Sequence, residues 1–196
     1  MTPQIAQCSG LWRRTLLIDT DGSRDTTTQV LWLQGLSAFV DLRGPGAGFA
    51  GRLSQRDDVF EWTRTIDLQP PGPPDAGRMS WEGDILVEVG VHADYIEHWQ
   101  RDVEPLEPCW GLLMSGPEGG VAILVRVGAR FGWAVTSTTR AEISLGTVTG
   151  TDWLITDSAH SGRVGVTLLP RLESGHLRVD DDFAWTVEEQ EGSVTL

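Results

Sequence analysis

The sequence predicts an all-β protein of antiparallel strands, closed as a barrel or stacked as a sandwich, and built from two similar halves. Three observations lead there. Short runs rich in β-branched and aromatic residues recur along the chain, parted by turns of Gly, Pro and Asp. No window sustains an apolar stripe at i, i+3, i+4 and i+7 between helix caps. The run TTTQVLWLQGLSAFVDLR, from Thr26 to Arg43, reads as a hairpin turning at Gln34, Gly35 and Leu36, and VAILVRVGARFGWAVTS, from Val121 to Ser137, repeats its layout more weakly.

Taken in order, Gly10 to Ile18 (GLWRRTLLI) is a first strand, and Asp19 to Asp25 is a turn with Asp21 and Gly22 at its tip. That turn shares only the opening of a calcium loop, because its Gly comes too early and no Glu closes it. After the central hairpin, GPGAG (Gly44 to Gly48) invites comparison with a phosphate cradle. Such a cradle needs a helix opening directly behind it, and here the strand-like FAGRLSQ follows, so the glycines form a loop. Val59 to Leu68 alternates, with Phe60, Trp62, Arg64 and Ile66 on one face and Glu61, Thr63, Thr65 and Asp67 on the other. PPGPPDAG, Pro70 to Gly77, is a surface loop. RMSWEG, DILVEVGV and YIEHWQR each suit a strand, although the spacing over Ala93 to Arg101 also allows a short helix.

Asp102 to Pro108 (DVEPLEP), with two prolines and three acids, is the expected boundary, giving halves at 1–104 and 105–196. Beyond it CWGLLMSG, the echoed hairpin, AEISLGTVTG, DWLITDSA, VGVTLLPRL and HLRVDDDFAWTVEE continue the rhythm of strands. VFEWTRTID and TDWLITDSA form a second repeated pair across the halves.

Composition narrows the partners. A formal net charge of −13 argues against nucleic acid, whose phosphates demand a basic surface, and against anionic membrane surfaces. All 15 basic residues are Arg, so every side-chain cation other than histidine is a planar, permanently charged fork. No apolar run is long enough to span a bilayer, and MTPQIAQCSG lacks the basic start and apolar stretch of an export signal, so a cytoplasmic location is expected. Cys8 and Cys109 read as free thiols, and no metal site is expected from so few, widely spaced ligands. His92, Asp94, Glu97 and His98 are the one cluster with metal-ligand chemistry, and they show neither HExxH nor a facial triad.

FVDLR at Phe39 to Arg43 and YIEHWQR at Tyr95 to Arg101 resemble a little-characterised family of lipocalin-like proteins known mainly from fungi. That family's strands read Phe-Val-Asp-x-Arg and Tyr-x-Glu-x-Trp-Arg; here Gln100 intervenes between Trp99 and Arg101. The resemblance covers mostly the first half. It implies an antiparallel calycin- or lipocalin-like barrel, duplicated, related to the fatty-acid-binding proteins, and it supplies no catalytic residue.

In such a barrel every second residue lines the interior. The candidate ligand-binding residues are therefore Asp41 and Arg43 on the face of Phe39; Arg64 with Phe60 and Trp62; and Glu97 and Arg101 with Tyr95 and Trp99. Three readings stay open for them: a pocket with aromatic walls and fixed charges, outward faces with Arg stems over exposed aromatics, or an internal ion-pair network holding strands together. No nucleophile motif, catalytic residue or cofactor is read from the sequence. The expected function is binding of a small hydrophobic or amphipathic molecule, one bearing a carboxylate included. The alternatives are a protein-interaction module and a barrel enzyme moving a proton with buried Glu97 or Asp41. A homodimer is compatible with the sequence.

Overall fold

The first sheet closes on itself. In the computed structural model, which describes residues 1–179 and 184–196, its strands are β1 (Gly10–Ile18), β2 (Arg24–Asp25), β3 (Leu31–Gln34), β4 (Ala38–Gly44), β5 (Ala47–Arg56), β6 (Val59–Asp67), β7 (Ala76–Glu82), β8 (Ile85–Gly90) and β9 (Ile96–Arg101). β1 pairs with β3, each later strand pairs with the next, and β9 returns to β1, which makes an eight-stranded antiparallel barrel with β2 as a short flap on the end of β1. The second sheet comprises β10 (Cys109–Ser115), β11 (Val121–Val127), β12 (Arg130–Thr136), β13 (Ala141–Thr149), β14 (Asp152–Ser158), β15 (Thr167–Leu168), β16 (Arg171–Glu173), β17 (His176–Arg178) and β18 (Trp185–Glu191). Its order is β15-β14-β13-β12-β11-β10-β18-β17-β16, so β15 and β16 are its two edges and the sheet is an open half-barrel.

The two curled sheets are similar. β18 pairs with β10 as β9 pairs with β1. The repeated hairpins, β3–β4 and β11–β12, hold the second and third places of their sheets, and the other repeated pair, β6 and β14, holds the fifth.

Two expectations are corrected. Ala93 to Arg101 contains no helix: Ile96 to Arg101 is β9, whose backbone is claimed on both sides by β1 and β8. VGVTLLPRL is not one strand but the two-residue β15 and the three-residue β16, parted around Pro170, which has no N–H to give a ladder. In HLRVDDDFAWTVEE the ends form β17 and β18, and residues 180–183 lie outside the described residues.

Alternation explains why β3 and β4 read as almost continuous apolar runs. Trp32 and Phe39 point into the barrel, with Trp12, Phe49, Leu53, Phe60, Trp62, Met79, Leu86 and Trp99. Leu31, Leu33, Val40 and Leu42 point outward, where they meet Ile123, Val125, Ala134, Ile143 and Leu145 of the second sheet. The hairpins are therefore buried on both faces, and a strand buried on both faces loses its polar stripe. The second sheet's other face gathers Trp110, Leu112, Leu124, Phe131, Trp133, Trp153, Ile155 and Trp185 into a third apolar cluster. The halves thus pack outer face to outer face, closely enough that a Cβ on Gly132 would lie 2.8 Å from Val40 Cγ2. Glu191 of β18 fastens the seam by accepting from the N–H groups of Ser37 and Ala38 and from Arg52 Nη1, at 2.9, 3.1 and 2.9 Å.

Candidate functional site

The first barrel has two unlike ends. Strand alternation brings Trp12, Phe39, Phe60 and Leu86 to one of them, where Ile5 of the N-terminal segment packs on the aromatic cluster. At that end Trp12 Nε1 donates to the Cys8 carbonyl at 2.6 Å. Two residues on from Trp12, Phe39 and Leu86 come Arg14, Asp41 and Glu88, and two back from Trp99 comes Glu97, with Arg43 beyond Asp41. The same alternation that fills one end with rings therefore fills the other with charges.

These charges are buried and mostly paired. Glu97, 3% exposed, accepts from Arg14 Nη1 at 2.7 Å, with Arg43 Nη1 at 3.7 Å. Arg14 also reaches Asp25 at 3.3 Å, and Arg43 Nε donates to Asp41 at 2.9 Å. Burial pushes the Asp41 carboxyl up to about 6 against the pull of Arg43. Burial also opposes the charge on Arg43, but Asp41 and Glu97 outweigh it and hold the guanidinium protonated.

Glu88 is the exception. At 3% exposure it accepts from Tyr95 Oη at 2.7 Å and from Trp99 Nε1 at 3.2 Å, and among the described residues no Arg forms an ion pair with it. Burial, then the neighbouring Glu97, push its carboxyl up to about 8, opposed in part by the Tyr95 hydrogen bond. Burial and Glu88 raise the Tyr95 phenol in turn. Asp25, Asp41, Glu88 and Glu97 face two guanidinium groups, Arg14 and Arg43, so this end carries more acids than cations.

Beside Glu88 lies a cavity of about 10 Å³, room for roughly one water molecule, lined by Trp32, Phe49, Trp62, Trp99, Asp41, Arg43, Asp75 and Glu88. Phe49 lids it, with the guanidinium carbons of Arg64 and Arg43 3.6 and 5.0 Å from its ring centre. Outside, a groove of about 300 Å³ runs beneath the proline loop and shares Trp62 and Asp75 with the inner cavity. A second groove, about 360 Å³, follows the seam between the sheets past Leu31, Leu42, Thr156 and Asp157. A third, about 510 Å³, lies at the opposite end by Trp12, Trp81 and Arg101.

Of the sequence candidates, Asp41, Arg43, Trp62, Tyr95, Glu97 and Trp99 meet at this charged end. Phe60 lies deeper, fully buried among the rings. Arg101 sits at the far end, donating to the carbonyls of Gln7 and Ser9 and lying 5.4 Å from the Trp12 ring. Arg64 keeps the face of Phe60 and Trp62 but stands at the rim, over the Phe49 ring. A bulge then pairs Ala50 with Ile66 and Gly51 with Arg64, so Thr65 is skipped and the alternation breaks beyond Arg64. Ile66 drops into the seam instead of joining Phe60 and Trp62, and Arg64 lies at the rim, bound to Asp67 at 2.9 Å and Asp75 at 2.7 Å rather than to Asp41 or Glu97. Four site residues were not among the candidates: Arg14, Phe49, Asp75 and Glu88. Arg14 and Glu88 carry a readable signal, each a charge two residues after a large apolar residue, Trp12 and Leu86, on a β-rich run.

Among the described residues, no three His, Cys, Asp or Glu are grouped to hold a metal ion. Cys8 and Cys109 are free, and burial pushes the Cys8 thiol up to about 12, an unreactive state.

No family model matches this chain, and no curated protein matches it by sequence. Among solved structures it is similar to the crystal structure of the uncharacterised protein YLR301w from Saccharomyces cerevisiae. The TM-score is 0.66 at 12% identity, over 93% of this chain and 98% of the yeast protein. At that identity the likeness establishes a shared fold and carries no residue roles.

Proposed function

We propose that this is a lipocalin-like binding protein for a small amphipathic molecule, taken up at the charged end of the first barrel. The observation that carries the reading is Glu88: a buried carboxyl without an ion-pair partner among the described residues, beside a cavity walled by three tryptophans and next to an open groove. A purely structural network would be expected to pair each acid with a cation, as Asp41 and Glu97 are paired, whereas Glu88 avoids the cost of an unpaired buried charge only by holding its proton. The barrel interior itself is too full to serve as the container, so the reading places the ligand's body in the groove and only its head within. A carboxylate head is disfavoured, since it would face Asp41, Glu88 and Glu97 while the nearby guanidinium groups are already engaged.

Native mass spectrometry of freshly purified protein, with thermal-shift screening of small amines, acids and neutral amphipaths, tests this. The reading predicts a co-purified small molecule, or a melting shift that Trp62→Ala abolishes. No bound molecule and no shift with any class would overturn it.

A further inference from the structure

The chemistry of the head group can be taken further. Three features of the inner cavity constrain it, each independent of the others. The first is charge: Arg14 and Arg43 are taken up by Glu97 and Asp41, Asp75 on the outer wall is bound by Arg64, and Glu88 remains as a further acid with no cation among the described residues, free to accept one by giving up its proton. The second is the wall. Trp32, Trp62 and Trp99 stand around the space, with Trp32 edge-on to both of the others at ring separations of 5.7 and 5.6 Å. Aromatic faces attract a desolvated cation and offer little to an anion. The third is size. At about 10 Å³ the cavity admits a group no larger than a water molecule, so a planar guanidinium does not fit, and the chain contains no Lys that could place an ammonium there.

We propose that the charged end of the first barrel binds a protonated primary amine, its ammonium between the three tryptophans and against Glu88, its apolar body along the groove beneath the proline loop. The inference rests on the small-molecule reading above and names the ligand class for the same site. Trp62 and Asp75 line both spaces, so the groove lies directly against the inner cavity. Tyr95 and Trp99 fix the Glu88 oxygens from behind, which leaves their remaining lone pairs for the ammonium. Burial first, then Glu97 and Asp75, push the Glu88 carboxyl up to about 8 against the pull of Tyr95 and Arg43, which favours its protonated form near neutral pH. Binding therefore transfers its proton to solvent as the ammonium supplies the missing charge.

Titration calorimetry with n-hexylamine, n-hexanol and hexanoate tests the proposal on the full chain, in buffers of differing ionisation enthalpy, with indole fluorescence as a second readout. Hexylamine should bind about tenfold or more tightly than the other two. It should release close to one proton at about pH 7 and almost none at about pH 9, where Glu88 is already ionised. Glu88→Gln should remove the preference while retaining the native circular dichroism, and Glu82→Gln, at the exposed end of β7 away from both spaces, should not. Equal binding of hexanol defeats the amine assignment and leaves the small-molecule reading standing. Loss of the preference in Glu82→Gln instead of Glu88→Gln also defeats it, since the attraction would then be a surface effect. Failure of all three probes, with no co-purified molecule, defeats both.

Discussion

Glu88 and Glu142 are almost equally hidden from solvent, at 3% and 2% exposure, one in each half of the molecule. Their surroundings differ. Glu142 accepts from Ser144 Oγ at 2.7 Å, from Arg140 Nη2 at 2.6 Å and from Arg163 Nε at 2.9 Å. Burial raises its carboxyl, but those hydrogen bonds win and hold it below the usual carboxylate range. Glu88 receives only a phenol and an indole, and burial wins. Burial alone therefore does not set the charge state; the charge of the donors does. The same contrast holds for the interiors. Three indoles of the first barrel find acceptors, Trp12 on Cys8, Trp32 on Gln34 and Trp99 on Glu88. In the second half the buried indole nitrogens of Trp110 and Trp133 have no partner among the described residues. One copy of the fold has been given a polar interior end, and the other is packed chiefly as a core.

The comparison can be broken at several points. The largest effect is expected from Arg14→Met, which leaves Glu97 buried with only the more distant Arg43. This should cost on the order of 3–5 kcal/mol in urea unfolding. Adding Glu97→Gln should recover much of the loss, because the stranded charge is removed with its partner; a double variant no better than the single one contradicts the ion-pair account. Next comes the seam on which both halves depend. Gly132→Ala drives a methyl against Val40 and should cost about 1–3 kcal/mol, by the same measurement, and a neutral result would mean that the two outer faces are not closely packed. The smallest difference is between two indoles. Trp99→Phe loses both packing and a hydrogen bond to Glu88, whereas Trp133→Phe loses packing alone, so the first should be worse by about 1 kcal/mol. Equal losses would erase the distinction drawn between the interiors.

Much of the architecture was legible in the chain, for a physical reason. The doubly buried hairpins advertise themselves as apolar runs, and β1 and β6 begin where their apolar and alternating patterns begin. The helix suggested over Ala93 to Arg101 fails because period alone does not register two neighbouring strands competing for the same backbone. The site was legible in part. Asp41, Arg43, Glu97 and Trp99 follow from strict alternation within one strand. Ile66 does not, because a bulge after Arg64 resets the count, and a bulge leaves little trace in residue types. Glu88 is the one acid of ILVEVG, an apolar run that does not itself reveal which face of the strand the acid takes. Asp75 belongs to a loop, where no periodicity speaks.

The account turns on the charge state of Glu88. Its ordinary carboxyl range lies near 4.5, and its raised value in the fold is about 8. Between these the folded state binds more protons than the unfolded one, so Glu88 makes stability fall as pH rises through that window, by at most about 1.4 kcal/mol per pH unit. Glu142, with its lowered carboxyl, acts in the opposite sense and withdraws stability as pH falls. Carbon-13 NMR of the glutamate side-chain carboxyls, with Glu88→Gln and Glu142→Gln to assign the two signals, reads both directly. The account predicts that the Glu88 carboxyl titrates near 8, and falls well below that when hexylamine is bound, while Glu142 stays ionised to below its ordinary range. A Glu88 carboxyl that is already ionised at about pH 5 without ligand would contradict it.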